Sequence, residues 1–129
     1  MPCFTTIDNR LKIIKNRYTG IITKDDLAVV WKQLLSLKEF TLFKYNLLSD
    51  YRDSSFEISV KEGDKMLNFL LSIKDILCGK KEAALLKNPK DTALSMLLQM
   101  KAYEQAGYEV QLFSTEKAAL EWIINMDEN

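Results

Sequence analysis

Residues 4–23 have no helical spacing of apolar positions and are rich in Ile, Thr and Tyr, a pattern that favours strand. The pair Asp8-Asn9 interrupts the run with residues that tolerate left-handed turn geometry. A first strand is therefore predicted over residues 4–7, a tight turn at Asp8-Asn9, and a second strand from Arg10 to about Thr19, together an N-terminal β-hairpin. Gly20 allows a bend or bulge, and Thr23 with Asp26 three positions on has the form of a capping box. Leu27, Val30, Trp31, Leu34 and Leu35 then line one face of a first helix, with Lys24, Lys32 and Gln33 elsewhere.

After a short polar break, residues 44–50 read as a short strand ending on Asp50, followed by a loop of Tyr51, Arg52, Asp53, Ser54 and Ser55. Ser59 with Glu62 is a second capping box, and Met66, Phe69, Leu70, Ile73, Ile76 and Leu77 carry a second helix to Gly79. The apolar run 83–86 suits a strand buried on both faces and ends at Asn88-Pro89. Ala93, Met96, Leu97 and Met100 form the stripe of a third helix, closed by Gly107. A strand over 108–113 follows, and Ser114-Thr115 opens a last helix carrying Ala119, Trp122, Ile123 and Met126. Strands separated by single helices run parallel through right-handed crossovers. The expected fold is thus α/β, a mixed, mostly parallel five-stranded sheet with an N-terminal β-hairpin and about four helices.

Composition narrows the function classes. A chain of 129 residues is the size of one domain, and no repeat or linker divides it, so residues 1–129 are assigned to a single unit. Lys plus Arg equals Asp plus Glu at 18 each, which removes the global field that nucleic-acid binding draws on. The N-terminus lacks the form of a secretory signal, and apolar runs such as 66–73 are too short to cross a bilayer. Cys3 and Cys78 have no paired spacing, which fits a reducing compartment; the expected location is cytoplasmic, with no integral membrane segment.

The order of elements, with the cluster Gly20-Ile21-Ile22-Thr23-Lys24-Asp25-Asp26 entering the first helix, resembles small bacterial proteins similar to anti-sigma-factor antagonists, the SpoIIAA-like group of the STAS superfamily. Residues 47–52, with an apolar strand ending in an acidic residue and an Arg two positions on, are similar to the same group, as are 83–86, the Asn88-Pro89 turn and 110–123. Phosphorylated members of the superfamily carry a serine in an Asp-Ser-Ser/Thr-Gly turn at a helix start, where phosphate breaks binding to a kinase. Asp53-Ser54-Ser55 invites that comparison and makes Ser54 and Ser55 candidate phosphorylation positions. Phe56 stands where the glycine would be, and the helix cap falls further on, at Ser59.

No histidine is present, which closes Ser-His and Cys-His nucleophile pairs and His-ligated metal sites. The four glycines are isolated, so no phosphate loop is formed, and neither a cofactor nor a metal is implied. In open α/β sheets ligands bind beyond the carboxyl ends of parallel strands, which brings forward Asp50, Arg52, Lys87 and Ser114. Asp50 suits acid or base work and Arg52 or Lys87 suits holding an anion; Asp50 paired with either cation as a structural ion pair is the other reading. Trp31, Trp122, Phe69 and the methionines are assigned by their helical spacing to packed core, against the alternative of a lipid cavity beneath the first two helices.

The expectation is a non-enzymatic binding or regulatory module whose partner, a protein or a small ligand, is unidentified. The alternative is small-anion or lipid binding, or an enzyme, using the rim of Asp50, Arg52 and Lys87. The hairpin leaves an exposed sheet edge, with charge from Arg10, Lys12, Lys15 and Arg17, and a homodimer is expected.

Overall fold

In the computed structural model, which describes residues 3–87 and 105–124, the strands β1 (Cys3–Asp8), β2 (Ile13–Thr23), β3 (Asn46–Glu57), β4 (Lys81–Leu85) and β5 (Glu109–Phe113) pair in sequence order. β1 and β2 are antiparallel and every later pairing is parallel. The mixed sheet with its N-terminal hairpin is therefore as expected. The hairpin connection is longer than a tight turn. The Asp8 carboxylate accepts from the backbone N–H groups of Arg10 and Leu11, at 3.0 and 2.9 Å, and Lys12 takes φ 57° before β2 begins. Arg10 and Lys12 consequently lie in this connection, and only Lys15 and Arg17 of the four expected charges stand on the strand.

Thr23 and Ser59 form both capping boxes, starting α1 (Lys24–Leu35) and α3 (Val60–Ser72). The polar break after α1 holds a single turn, α2 (Lys38–Thr41), which inserts the fully buried Phe40 into the core. Lys80, 2% exposed, fastens that turn: its Nζ donates to the Phe40 carbonyl at 2.5 Å and lies 4.7 Å from the Phe40 ring centre. Burial, with Lys44 adding like-charge repulsion, lowers the Lys80 ammonium to about 8. The second helix is broken where continuity is expected. Ser72 Oγ bonds back to the Phe69 carbonyl at 2.5 Å and Ile73 leaves helical geometry, so a separate turn, α4 (Lys74–Leu77), follows before Gly79 takes φ 83°. The last helix, α5, spans Glu116–Ile124, and Thr115 Oγ1 accepts from the Ala118 N–H. The described residues thus hold five helices instead of about four. The expected helix of Ala93, Met96, Leu97 and Met100, the Asn88-Pro89 turn and Met126 lie outside the described residues.

The largest departure concerns residues 51–55. They are not a loop but part of the 12-residue β3, paired with β2 from Thr19↔Asp53 to Thr23↔Glu57. Their Arg, Asp and Ser residues suggest a loop because the β2–β3 pair runs on beyond β4, which registers with β3 only from Leu47 to Asp50, and so has water beside it. The register shifts between Arg17 and Thr19, where β3 carries one residue more than β2; Gly20, at φ 78°, lies just beyond. Asp50 therefore sits within a strand, and Ser54 and Ser55 lie opposite Gly20 and Ile21.

Period-two alternation divides the sheet between two cores. Ile14, Tyr18, Leu47 and Tyr108 face α1 and α3 together with Leu27, Val30, Leu34 and Leu70. Ile13, Leu48, Ala83 and Leu85 face Ala119 and Ile123 of α5. Leu85→Ala, at a fully buried position, is expected to cost about 2–5 kcal/mol in urea unfolding. Ile21→Ala, on the water-facing stretch of β2, is expected to change stability by less than about 0.5 kcal/mol.

Candidate functional site

The structure brings Asp50, Arg52 and Lys87 to one open cleft of about 520 Å³, with Lys15, Arg17, Asp53 and Glu116 beside them; Ser114 is exposed and does not line it. The charges there are largely spent on one another. Arg52 grips Asp50 bidentately, Nε to Oδ1 at 2.9 Å and Nη2 to Oδ2 at 2.8 Å, while its backbone N–H donates to Oδ1 at 3.1 Å. These bonds hold the Asp50 carboxyl below its usual range against the opposing effect of burial, so Asp50 stays ionised and makes a poor proton donor. Lys15 pairs with Glu116 at 2.5 Å and Arg17 with Asp53 at 3.0 Å. Lys87 has no ion-pair partner among the described residues. Ser54 Oγ donates to the Tyr51 carbonyl, and Ser55 is exposed.

A second constellation, on the opposite face of the sheet, was not singled out from the sequence. Alternation in β4 points Glu82 away from α5, under α1 and α3, where Ser49 Oγ donates to Oε2 at 2.6 Å and the Tyr108 hydroxyl donates to Oε1. The Tyr51 ring stacks on Tyr18 with centres 4.5 Å apart and planes 18° apart. Asn16 lines the same space and accepts from Thr5 Oγ1 at 2.6 Å. Burial pushes the Glu82 carboxyl above its ordinary range, the bonds from Ser49 and Tyr108 pulling the other way. Burial likewise raises the Tyr18, Tyr51 and Tyr108 hydroxyls. The cluster is therefore a carboxyl whose neutral form is favoured by burial, among phenol, serine and asparagine side chains that each donate and accept.

Above it the helices stand apart. A cavity of about 80 Å³ lies over Glu82, Ser49, Tyr51 and Tyr108, roofed by Leu27, Trp31, Met66 and Leu70. The same four roof residues also line a groove of about 480 Å³ between α1 and α3, with Ala28, Leu35 and Phe69 on its walls and Lys24, Asp25, Lys32, Glu62 and Lys65 around it. Trp31 and Phe69 meet edge to face at 6.1 Å. Phe69, expected in the packed core, is 38% exposed, and Trp31 and Met66 are only partly buried, because this groove separates the helices. Trp122 does pack, partly buried, against the α5 core.

No family model and no curated protein matches the chain. Among solved structures it is similar to an uncharacterised protein of the DUF3478 family from Shewanella loihica PV-4, described as having a SpoIIAA-like fold. The match has a TM-score of 0.58 at 14% identity and covers 94% of this chain and 93% of that one. The chain has a SpoIIAA-like α/β fold, as the order of its motifs implies. Among the described residues, no helix is long and apolar enough to cross a membrane and no cluster of ligating side chains suited to a metal ion occurs.

Because the folded state favours the neutral Glu82 carboxyl, its contribution to stability is complete below the ordinary value of 4.5 and is lost as pH rises through the raised folded value. Asp50, held low, contributes in the opposite sense at acid pH, so a difference measurement is needed. In urea unfolding across pH 4–8, the stability of the wild type relative to Glu82→Gln is expected to fall as pH rises, since Gln keeps the site neutral throughout. A pH-independent difference would mean that Glu82 ionises normally in the fold.

Proposed function

We propose that this chain is a non-enzymatic binding module that receives a small apolar ligand between α1 and α3. The observation that supports this reading is the groove itself. Its 480 Å³ falls within the range of small-molecule sites, its walls are aliphatic and aromatic, and it shares its floor residues with the cavity above Glu82. The Asp50 cleft is the weaker place for a ligand, because it is open and polar and, among the described residues, all its charged groups but Lys87 already face an opposite charge. A regulatory role follows from the same geometry: a ligand seated between α1 and α3 changes the surface those helices present to a protein partner.

The reading is tested by titrating the isotope-labelled chain with indole and following amide and Trp31 indole signals by nuclear magnetic resonance. Saturable shifts concentrated on α1 and α3 are expected. Ala28→Trp, at an exposed helix position on the groove wall, should weaken binding at least about tenfold by filling the groove while leaving the circular dichroism spectrum unchanged. Absent or scattered shifts, or an unaffected Ala28→Trp variant, would remove the groove as the site.

A second reading concerns assembly. β1 is an edge of the sheet, contains no Lys or Arg, and leaves Phe4 65% and Ile7 36% exposed, which suits antiparallel pairing with β1 of a second copy. Sedimentation velocity is expected to show a dimer that Phe4→Lys dissociates, and a wild type that sediments as a single chain at high concentration rules this pairing out.

A further inference from the structure

The floor of the cavity carries a carboxyl, three phenols, a serine and an asparagine, and among the described residues no Lys, Arg or His lines it. The lysines of this region, Lys24, Lys32 and Lys65, belong to the outer groove and are accompanied by Asp25 and Glu62. A carboxylate or phosphate reaching the floor would leave water for a site with no cation to receive it and with the Glu82 carboxyl facing it. A cationic head would have to compete for the Glu82 oxygens with Ser49 and Tyr108, which already donate to both. A hydroxyl or carbonyl meets neither penalty: Ser49 Oγ, whose proton goes to Glu82, can accept from a hydroxyl, and the Tyr51 hydroxyl can donate or accept. The cavity of about 80 Å³ has room for a head group of a few heavy atoms, and the groove above takes the apolar body.

We propose that the site selects a neutral amphiphile, an apolar body bearing a hydroxyl or carbonyl head that bonds to Ser49 or Tyr51, and that it rejects carboxylate and phosphate heads. This inference rests on the groove being the binding site and names the chemistry of its ligand. The direction of selection comes from the floor and not from the mouth. The charges outside, three lysines and two carboxylates, are solvated and screened, whereas the groups beneath Leu27 and Trp31 are buried.

The test uses three probes with the same six-carbon chain, 1-hexanol, hexanoate and hexylammonium, titrated into the full chain at neutral pH with Trp31 and Tyr108 signals as the readout. 1-Hexanol is expected to bind at least about tenfold more tightly than either charged probe, a difference of about 1.4 kcal/mol. Ser49→Ala is expected to weaken 1-hexanol severalfold while leaving indole, held by the groove walls, unchanged. Hexanoate or hexylammonium binding as tightly as 1-hexanol would overturn the proposed selectivity and leave the groove reading standing. If neither indole nor any six-carbon probe binds, the groove reading falls and the selectivity with it. The comparison among the three probes needs only the wild type, so it holds even if Ser49→Ala fails to fold.

Discussion

Burial of β4 and the middle of β3 on both faces governs the arrangement of this molecule. From Leu47 to Ser49 and from Glu82 to Leu85, each side chain must enter one of two layers, and neither layer is water. On the α5 side the chain meets this constraint with Leu48, Ala83 and Leu85. On the other it places Ser49 and Glu82 beneath the helices, where burying a carboxyl is acceptable only with bonds to both oxygens. Ser49 and Tyr108 supply those bonds, tying β3, β4 and the residue that leads into β5 together below α1 and α3.

The same requirement shapes the space above. A floor of short and hydrogen-bonded side chains leaves room that Leu27, Trp31, Met66 and Leu70 roof without filling, and α1 and α3 diverge around it. Helix faces that would otherwise close on the sheet thereby become the walls of a groove. Partial exposure of Trp31 and Phe69 follows from that separation and carries no sign of poor packing elsewhere, since Phe40, Leu34 and Leu77 are buried nearly completely. The Asp50 cleft obeys different physics. Its groups meet water, pair with their nearest opposite charges, and form a rim that stabilises the meeting of β2, β3 and α5.

Much of the architecture was legible because it is written in local terms. Two capping boxes, the Ile-, Thr- and Tyr-rich composition of the hairpin and the doubly apolar run of β4 each depend on residues a few positions apart, and the SpoIIAA-like order of elements followed from them. The polar stretch 51–55 misled because its strand character comes from pairing with Thr19–Thr23, more than thirty positions earlier. The split at Ile73 was hidden for a smaller reason, since the apolar spacing continues through it while a serine hydroxyl ends the helix. Of the rim, Asp50, Arg52 and Lys87 were identified and do gather in one cleft, and the pairing of Asp50 with Arg52 was one of the readings open to them.

By itself the sequence determined where the hairpin, the two capped helices and the buried strand β4 lie, and that nucleophile-histidine chemistry is closed to this chain. Only tertiary structure decided that Glu82, flanked in sequence by two lysines and two alanines, turns inward to meet Ser49 and Tyr108. A glutamate beside lysines has the local pattern of a solvated strand end. Its burial depends on parallel neighbours supplied from 33 residues before and 26 after, a pairing that no local spacing encodes.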